Sequence, residues 1–453
     1  MNKENITVSI GKRILSEAND LKRTIKLLSK EININEKLIK KIIDGDCSIE
    51  ESYEVLKKMG SFYPIDISDL YLLEDDCSNG VKIMRSEESE KTSRIYNRIN
   101  KDNKKTPYYE YRDTAMSKLG PFKPEWIKQL RFVRDSDPYN PDVAYNNGHL
   151  LHQITFFVGP VNFYWEVNGK KYCKEMNTGD SNYITPFWPH SFTTRDSNQD
   201  AYILAITFGG DVSTAQKELY ALGNKASNYS IEYRNHNKAT RQLIKQHMIN
   251  ENLTIEHIVN LAKDQSMQID FKKLMNQKGK ISLKELGMIA VLLNIELDNL
   301  IIPIYKPEDE VVVQLSNDNK KYLFPDENNP SYNINRLART SKMPNIKGFS
   351  IEVLSNKPEK NLITSLHTYL CNYGNSDIDI FWKDQGSSYK DKINKFDSVY
   401  LQPFVDHGFS CENGDGKLLL VRVLGKMNLS AQKEFSYMAN VERAYNETKC
   451  WFD

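Results

Sequence analysis

The sequence predicts an α+β chain in which a helix-turn-helix-like all-α segment followed by a small antiparallel barrel occurs twice in tandem. Three observations predict it. Residues 9–60 and 238–300 both carry apolar residues at helical spacing, through Leu21, Ile25 and Leu28 in the first and LTIEHIVNLAKDQ in the second. Each block is followed by short apolar runs with Gly and Pro at the corners, as strands that turn often require. The strings FWPHSFT and FVDHGFS occupy matching places in the two halves, as do DGDCSIEE (44–51) and QKGKISLKE (277–285).

The expected layout is a helical segment over 1–75, a first barrel over 100–215, a second helical segment over 236–305 and a second barrel over 310–453. In the first block Asn33 or Asn35 caps the second helix, and Gly60 ends the last one. Residues 84–106 are polar and charged and are expected to form a mobile link. ITFFVGPVNFYWEVNG (154–169) gives two strands broken by Gly159 and Pro160, and 177–194 gives a turn, a strand, a Pro-bounded corner and another strand. AYILAITFGG (201–210) reads as a buried strand, and 367–386, 396–410 and 416–425 repeat the pattern in the second half.

Composition narrows the function. At 453 residues, with 40% apolar and 11% aromatic residues, the chain can build several cores. Its 61 basic against 60 acidic residues leave a net charge of +1, which argues against nucleic acid as a partner. No apolar run reaches the roughly 18–20 residues of a membrane span, and the start lacks a signal-peptide core, so a cytoplasmic protein is expected. The six cysteines (Cys47, Cys77, Cys173, Cys371, Cys411, Cys450) are scattered and read as reduced thiols.

Of eight histidines, His149, His152 and His190 fall within forty-two residues. Such a cluster on a small barrel can converge on one metal, and divalent iron favours two histidines plus an oxygen donor with positions left open. His149 and Gln153 are four apart, which on a strand places them on one face, while His152 points to the other. Spacing alone leaves a metal site and satisfied polar barrel histidines equally open.

NNGH (146–149) followed by GDS and PFWPHSF (179–192), behind a helix-turn-helix-like segment and repeated in the second half, resembles the hydroxyethylphosphonate dioxygenase and methylphosphonate synthase family. The resemblance runs through nearly the whole chain. It implies that each barrel is a cupin (a double-stranded β-helix), making the chain a bicupin, and that His149, Gln153 and His190 hold Fe(II). The dioxygenase branch takes a carboxylate six residues before the final histidine, where this chain has Ile184. The synthase branch uses a glutamine four residues after the first histidine, where this chain has Gln153.

The same resemblance implies substrate contacts at Asn146 and Tyr111, at Arg98 or alternatively Lys101, and at Lys22, reaching from a neighbouring subunit of a homo-oligomer. These groups suit a phosphonate dianion, which needs cations and donors to offset its desolvation. In the second barrel the counterpart of His149 falls near Thr364, His367 aligns with His152, and His407 with His190. The triad is incomplete, and only Arg422 is expected to add charge to a shared pocket. The implied reaction takes 2-hydroxyethylphosphonate and O2 to methylphosphonate and carbon dioxide, with no 2-oxoglutarate because the substrate supplies the electrons. The alternatives are the dioxygenase outcome (hydroxymethylphosphonate plus formate), a helix-turn-helix regulator with a cupin sensor, and a metal-free cupin binding a sugar or acid.

Overall fold

The computed structural model describes residues 6–67, 72, 75–77, 79–276, 279–357 and 362–446. Cys450 lies outside them. The first helical block is α1 (Ile6–Asp20), α2 (Ile25–Ile32), α3 (Glu36–Ile43) and α4 (Ile49–Phe62). Local chemistry sets its boundaries. The Thr24 hydroxyl accepts from the Leu27 N–H at the start of α2, and Asn33 ends that helix at φ 53°. Asn35 caps α3 by accepting from the Lys37 N–H, and Ser48 with Glu51 forms a reciprocal capping box on α4. Ile10, Ile14, Leu28, Ile39, Ile42, Leu56 and Met59 make its buried core.

Gly60 does not end α4, which runs on to Phe62. A Cβ there would lie 2.2 Å from Ile67 Cγ1, so this glycine serves close packing instead of termination.

The second block, α5 (His236–Asn250), α6 (Ile255–Asp264), α7 (Phe271–Asn276) and α8 (Leu283–Leu292), has its own core around Ile244, Ile258, Phe271 and Ile289. Ser282 and Glu285 form a capping box on α8, matching Ser48 and Glu51 on α4.

The rest is sheet. Before the second helical block come β1 (Val81–Met84), β2 (Arg94–Ile99), β3 (Lys105–Asp113), β4 (Phe122–Gln129), β5 (His152–Val158), β6 (Val161–Val167), β7 (Lys170–Met176), β8 (Ser181–Ile184), β9 (His190–Thr194) and β10 (Tyr202–Phe208). After it come β11 (Val311–Gln314), β12 (Tyr322–Phe324), β13 (Tyr332–Arg336), β14 (Ile346–Val353), β15 (His367–Asn372), β16 (Ile378–Asp384), β17 (Ser387–Ile393), β18 (Ser398–Leu401), β19 (Asp406–Ser410) and β20 (Gly416–Val423). They form two equivalent units. In the first, a sheet ordered β11-β8-β5-β10-β4-β3-β2 accompanies a small sheet β7-β6-β9. In the second, β1-β18-β15-β20-β14-β13-β12 accompanies β17-β16-β19.

Two strands break the linear division of the chain. β1 pairs with β18 of the second unit, and β11 pairs with β8 of the first, so each large sheet ends on a strand from the other half. The two large sheets pack on each other through Phe122, Trp126, Phe156, Tyr183, Tyr202, Tyr369, Tyr400 and Leu419. Phe157, Phe163, Phe192 and Ile203 fill the first unit, and Tyr332, Ile351, Phe409 and Leu420 the second.

Residues 84–106 are not a loose link. They carry the end of β1, a short helix (Ser86–Glu90) and all of β2. Several of their charges form ion pairs: Arg85 reaches Asp391 at 2.8 Å and the buried Asp397 at 2.9 Å, and Arg94 reaches Asp113 at 2.7 Å. Composition could not reveal those distant partners.

Arg85→Ala should therefore strand the Asp397 carboxylate and destabilise the protein by about 3 kcal/mol. Denaturant unfolding reads this as an earlier midpoint. Arg85→Lys should recover only part of the loss, because one ammonium cannot fork across two carboxylates. An unchanged midpoint in the alanine variant would remove Arg85 as the clamp that holds this segment to the second unit.

Candidate functional site

A cavity of about 300 Å³ opens in the first unit, and its wall contains His149, Gln153, His190, Asn146, Tyr111 and Arg98. Six of the residues singled out in the sequence thus meet in one place. His190 begins β9 and Gln153 is the second residue of β5. His149 is not on the strand. It lies in the loop before β5, and the loop's course, not the strand pleat, brings it to Gln153. Gly148 permits that course: its φ is 71°, and a Cβ would stand 2.4 Å from the Phe187 backbone. The Phe187 N–H donates to the His149 carbonyl at 2.9 Å and locks the crossing. His152 faces the opposite way, stacked on Phe208 and bonded to the Tyr183 hydroxyl at 3.1 Å.

The hydrogen bonds prepare a donor set. His149 Nδ1 donates to the Leu151 carbonyl at 2.8 Å and His190 Nδ1 to the Trp188 carbonyl at 2.9 Å, so in the neutral ring each Nε2 carries the lone pair. The Gln153 amide nitrogen donates to Thr155 Oγ1 at 2.8 Å, which turns its oxygen towards His149. That oxygen lies 3.3 Å from His149 Nε2. Two lone pairs facing each other repel unless a cation or a proton lies between them. The two imidazole rings are 5.3 Å apart and perpendicular. Two imidazole nitrogens and an amide oxygen fit a divalent metal, and a bound cation would relieve any facing of acceptors here. Burial pushes the His190 imidazole down to about 4, which keeps its nitrogen unprotonated across the neutral range.

Asn146 ties the site together. Its side-chain oxygen accepts from the backbone N–H of Gly148 and of His190, at 3.0 and 2.9 Å, and its amide nitrogen donates to His190 Nε2 at 2.9 Å. Tyr111 packs edge-on against Tyr96 and Tyr109, and burial pushes its hydroxyl up to about 12. It stays a neutral donor.

Arg98, not Lys101, reaches the cavity; Lys101 pairs with Asp142 at 3.7 Å outside it. Lys22 follows α1 at φ 58° with Nζ donating to the Asp20 carbonyl at 3.1 Å, and it is not part of this wall. Arg422 does not contribute either. It lies on β20, on the far side of the apolar layer between the large sheets, and is not among the residues of this wall.

Two wall residues escaped the sequence reading. Glu125 on β4 sits 3.5 Å from Arg94, and burial pushes its carboxyl up. Thr207 on β10 lies opposite Gln153 in register. The alternation of Lys123, Glu125 and Ile127 carried a signal, but only the register says which face looks inward.

Two imidazoles and an amide oxygen beside a guanidinium and a tyrosine define a class: an enzyme able to hold one divalent metal ion next to a small anionic substrate. No protein-family model matches the chain. It is 39% identical over 451 residues to the methylphosphonate synthase of Nitrosopumilus maritimus (strain SCM1), covering 98% of this chain and 95% of that one. The chain belongs to the methylphosphonate synthase family.

Among solved structures it matches HEPD (2-hydroxyethylphosphonate dioxygenase) of Streptomyces albus, which has 2-hydroxyethylphosphonate and Fe(II) bound. The TM-score is 0.89, with 30% identity and 98% and 99% of the two chains covered. A further 2-hydroxyethylphosphonate dioxygenase structure, 17% identical, shares the fold at a TM-score of 0.73 over 96% of this chain and 99% of its own. Among the described residues no helix is long and apolar enough to cross a membrane.

Burial pushes four imidazoles, those of His152, His190, His367 and His407, down to about 4. Unfolded, each would take a proton near pH 6.5, whereas folded each stays neutral until about pH 4. Their neutrality therefore costs stability as pH falls from about 6.5 towards 4 and costs nothing above that window. The metal-free protein should lose up to about 5 kcal/mol per pH unit there, if all four protons are taken up on unfolding. Denaturant midpoints measured from pH 7 to 5 check it; a flat profile would contradict the burial.

Proposed function

We propose that this chain converts 2-hydroxyethylphosphonate and dioxygen to methylphosphonate, carbon dioxide and water at an Fe(II) centre held by His149, Gln153 and His190. The observation that carries it is the convergence of His149 Nε2 and the Gln153 oxygen, 3.3 Å apart, with the His190 ring in one cavity wall, a donor set that would hold one cation. The substrate supplies every electron that dioxygen takes, so no 2-oxoglutarate enters. Fe(II), when bound, supplies dioxygen activation and the oxidation that breaks the carbon–carbon bond.

The chain's own groups bind and orient. Arg98 offers a planar fork of donors to the phosphonate, and Tyr111 offers a neutral hydroxyl. Asn146 has two states. Without a metal its amide nitrogen donates to His190 Nε2; once that lone pair is engaged, the same N–H is released for a phosphonate oxygen. Its carbonyl end stays clamped by Gly148 and His190 throughout, so the switch needs no rotation.

The amide of Gln153 leaves the centre one charge unit more positive than a carboxylate would. The position of a dioxygenase-type carboxylate is Ile184, 1% exposed in the apolar core and opposite Gln153 in register, where no ligand could be offered. This favours methylphosphonate over hydroxymethylphosphonate and formate.

The proposal extends to the architecture. The two β units are read as cupins and the helical blocks as their scaffold rather than as readers of nucleic acid. Lys22 is read as serving the cavity of a second copy in a homo-oligomer, in a cytoplasmic enzyme.

Phosphorus NMR of anaerobically iron-loaded protein given 2-hydroxyethylphosphonate and air should show methylphosphonate, and His190→Ala should abolish it. Hydroxymethylphosphonate as the product would overturn the reading of Gln153 and Ile184. Arg98→Gln should retain iron and lose about 2 kcal/mol of phosphonate binding, roughly thirtyfold in kcat/KM. An unchanged kcat/KM would remove Arg98 from the phosphonate.

A further inference from the structure

The two β units correspond residue by residue at their open ends. The Phe187 N–H donates to the His149 carbonyl at 2.9 Å, and the Phe404 N–H donates to the Thr364 carbonyl at 2.7 Å. Both phenylalanines have positive φ, 68° and 64°. The Tyr109 hydroxyl accepts from the Phe192 N–H at 2.9 Å, and the Tyr332 hydroxyl from the Phe409 N–H at 2.9 Å. His190 stands opposite Trp165, and His407 opposite Trp382. Thr207 lies between Lys123 and Gln153 across three strands, and Arg422 lies between Lys347 and Thr368.

The positions that wall the first cavity can therefore be read in the second unit. Threonines replace His149 and Gln153, so the metal set is gone. Charge replaces it: Arg422 stands for Thr207, and Phe349 stands for the acidic Glu125. The Arg422 guanidinium lies 5.9 Å from the Phe349 ring centre. Lys347 shares its face, Arg339 stands nearby, and Arg336 is at the solvent rim over the Tyr322 ring. Among the described residues none of these four cations makes an ion pair.

Buried polar atoms also wait there without partners: His407 Nε2, Thr368 Oγ1, Arg422 Nε and Arg339 Nη2. His407 is 1% exposed and Thr368 is fully buried. His407 Nδ1 is occupied by the Val405 carbonyl at 2.8 Å, which leaves Nε2 aimed away from it. Burial weakens the hold of Arg422 and Arg339 on their protons, and burial together with neighbouring Arg339 and Arg336 does the same to Lys347. Unpaired buried polar atoms are costly, and several in one place imply a ligand that satisfies them.

We infer that the end of the second unit that carries Arg422 is a binding site for a small tetrahedral oxyanion, a phosphate or phosphonate, held by Arg422, Lys347, Arg339 and Thr368. The guanidinium and ammonium groups neutralise the anion and Thr368 donates to it. His407 Nε2 accepts from the anion's own hydroxyl, so a singly protonated or hydroxyl-bearing oxyanion fits the set better than sulfate. The site is independent of the iron-site reading, because it shares no residue with that cavity.

The test uses the full chain without added iron, titrated calorimetrically with inorganic phosphate and separately with methylphosphonate. Saturable binding should weaken by at least about tenfold in Arg422→Gln and persist in Arg98→Gln. Lys347→Gln, at a half-exposed position, should weaken it too, and guards against misfolding of the buried variant. Tighter binding of methylphosphonate would assign the site to the phosphonates of the proposed reaction; tighter binding of phosphate would assign it to the free ion. Either supports the site. Absence of saturable binding, or binding lost in Arg98→Gln but kept in both Arg422→Gln and Lys347→Gln, would overturn it.

Discussion

The apolar layer between the two large sheets is the constraint on which the other features depend. Trp126 stacks on Tyr202 at 5.3 Å, Phe156 meets Tyr373 at 4.7 Å, and Phe122 contacts both Tyr369 and Tyr400. Burying aromatic surface on this scale fixes each sheet's register, since a slip of one residue would turn the same side chains inward. With that face settled, the other face of every strand must serve the interior of its own unit. Gln153 therefore looks into the cavity while its neighbours His152 and Ile154 belong to the layer. The inward threonine, carboxylate and amide are the second reading of a pattern whose first reading is packing.

This double reading explains what was legible in the sequence. The strands and helices were, because alternation and capping residues act over a few positions. Asn35, one of the two caps the sequence offered, does cap its helix in the structure. Gly60 and residues 84–106 were misread for one reason: their partners, Ile67 in one case and Asp391 and Asp397 in the other, are not given by local pattern. The exchange of β1 and β11 was invisible likewise, since four-residue strands carry no mark of the sheet they join.

At the site, the histidines and Gln153 were legible through the motif, and Tyr111 and Arg98 through the resemblance. Arg98 won over Lys101 because Lys101 is drawn aside by Asp142. Glu125 was missed, although its carboxyl is held in the cavity wall by its ion pair to Arg94. The site is thus assembled from a loop crossing at Gly148, one amide held by Thr155, and two carbonyls that set the imidazole tautomers. Apart from the Thr155 hydroxyl and Gly148, these supports are backbone carbonyls whose positions follow from the chain's course.

The exchanged edge strands bear on how such a chain can change over time. A half that has lost its metal set would ordinarily be free to shrink or disappear. Here its removal would take β11 from the edge of the other half's large sheet and leave β8 with an open row of backbone donors and acceptors. Removing the first half would likewise uncover β18. The duplicates are thereby joined in inheritance as well as in space: neither can be discarded without baring a sheet edge of the other.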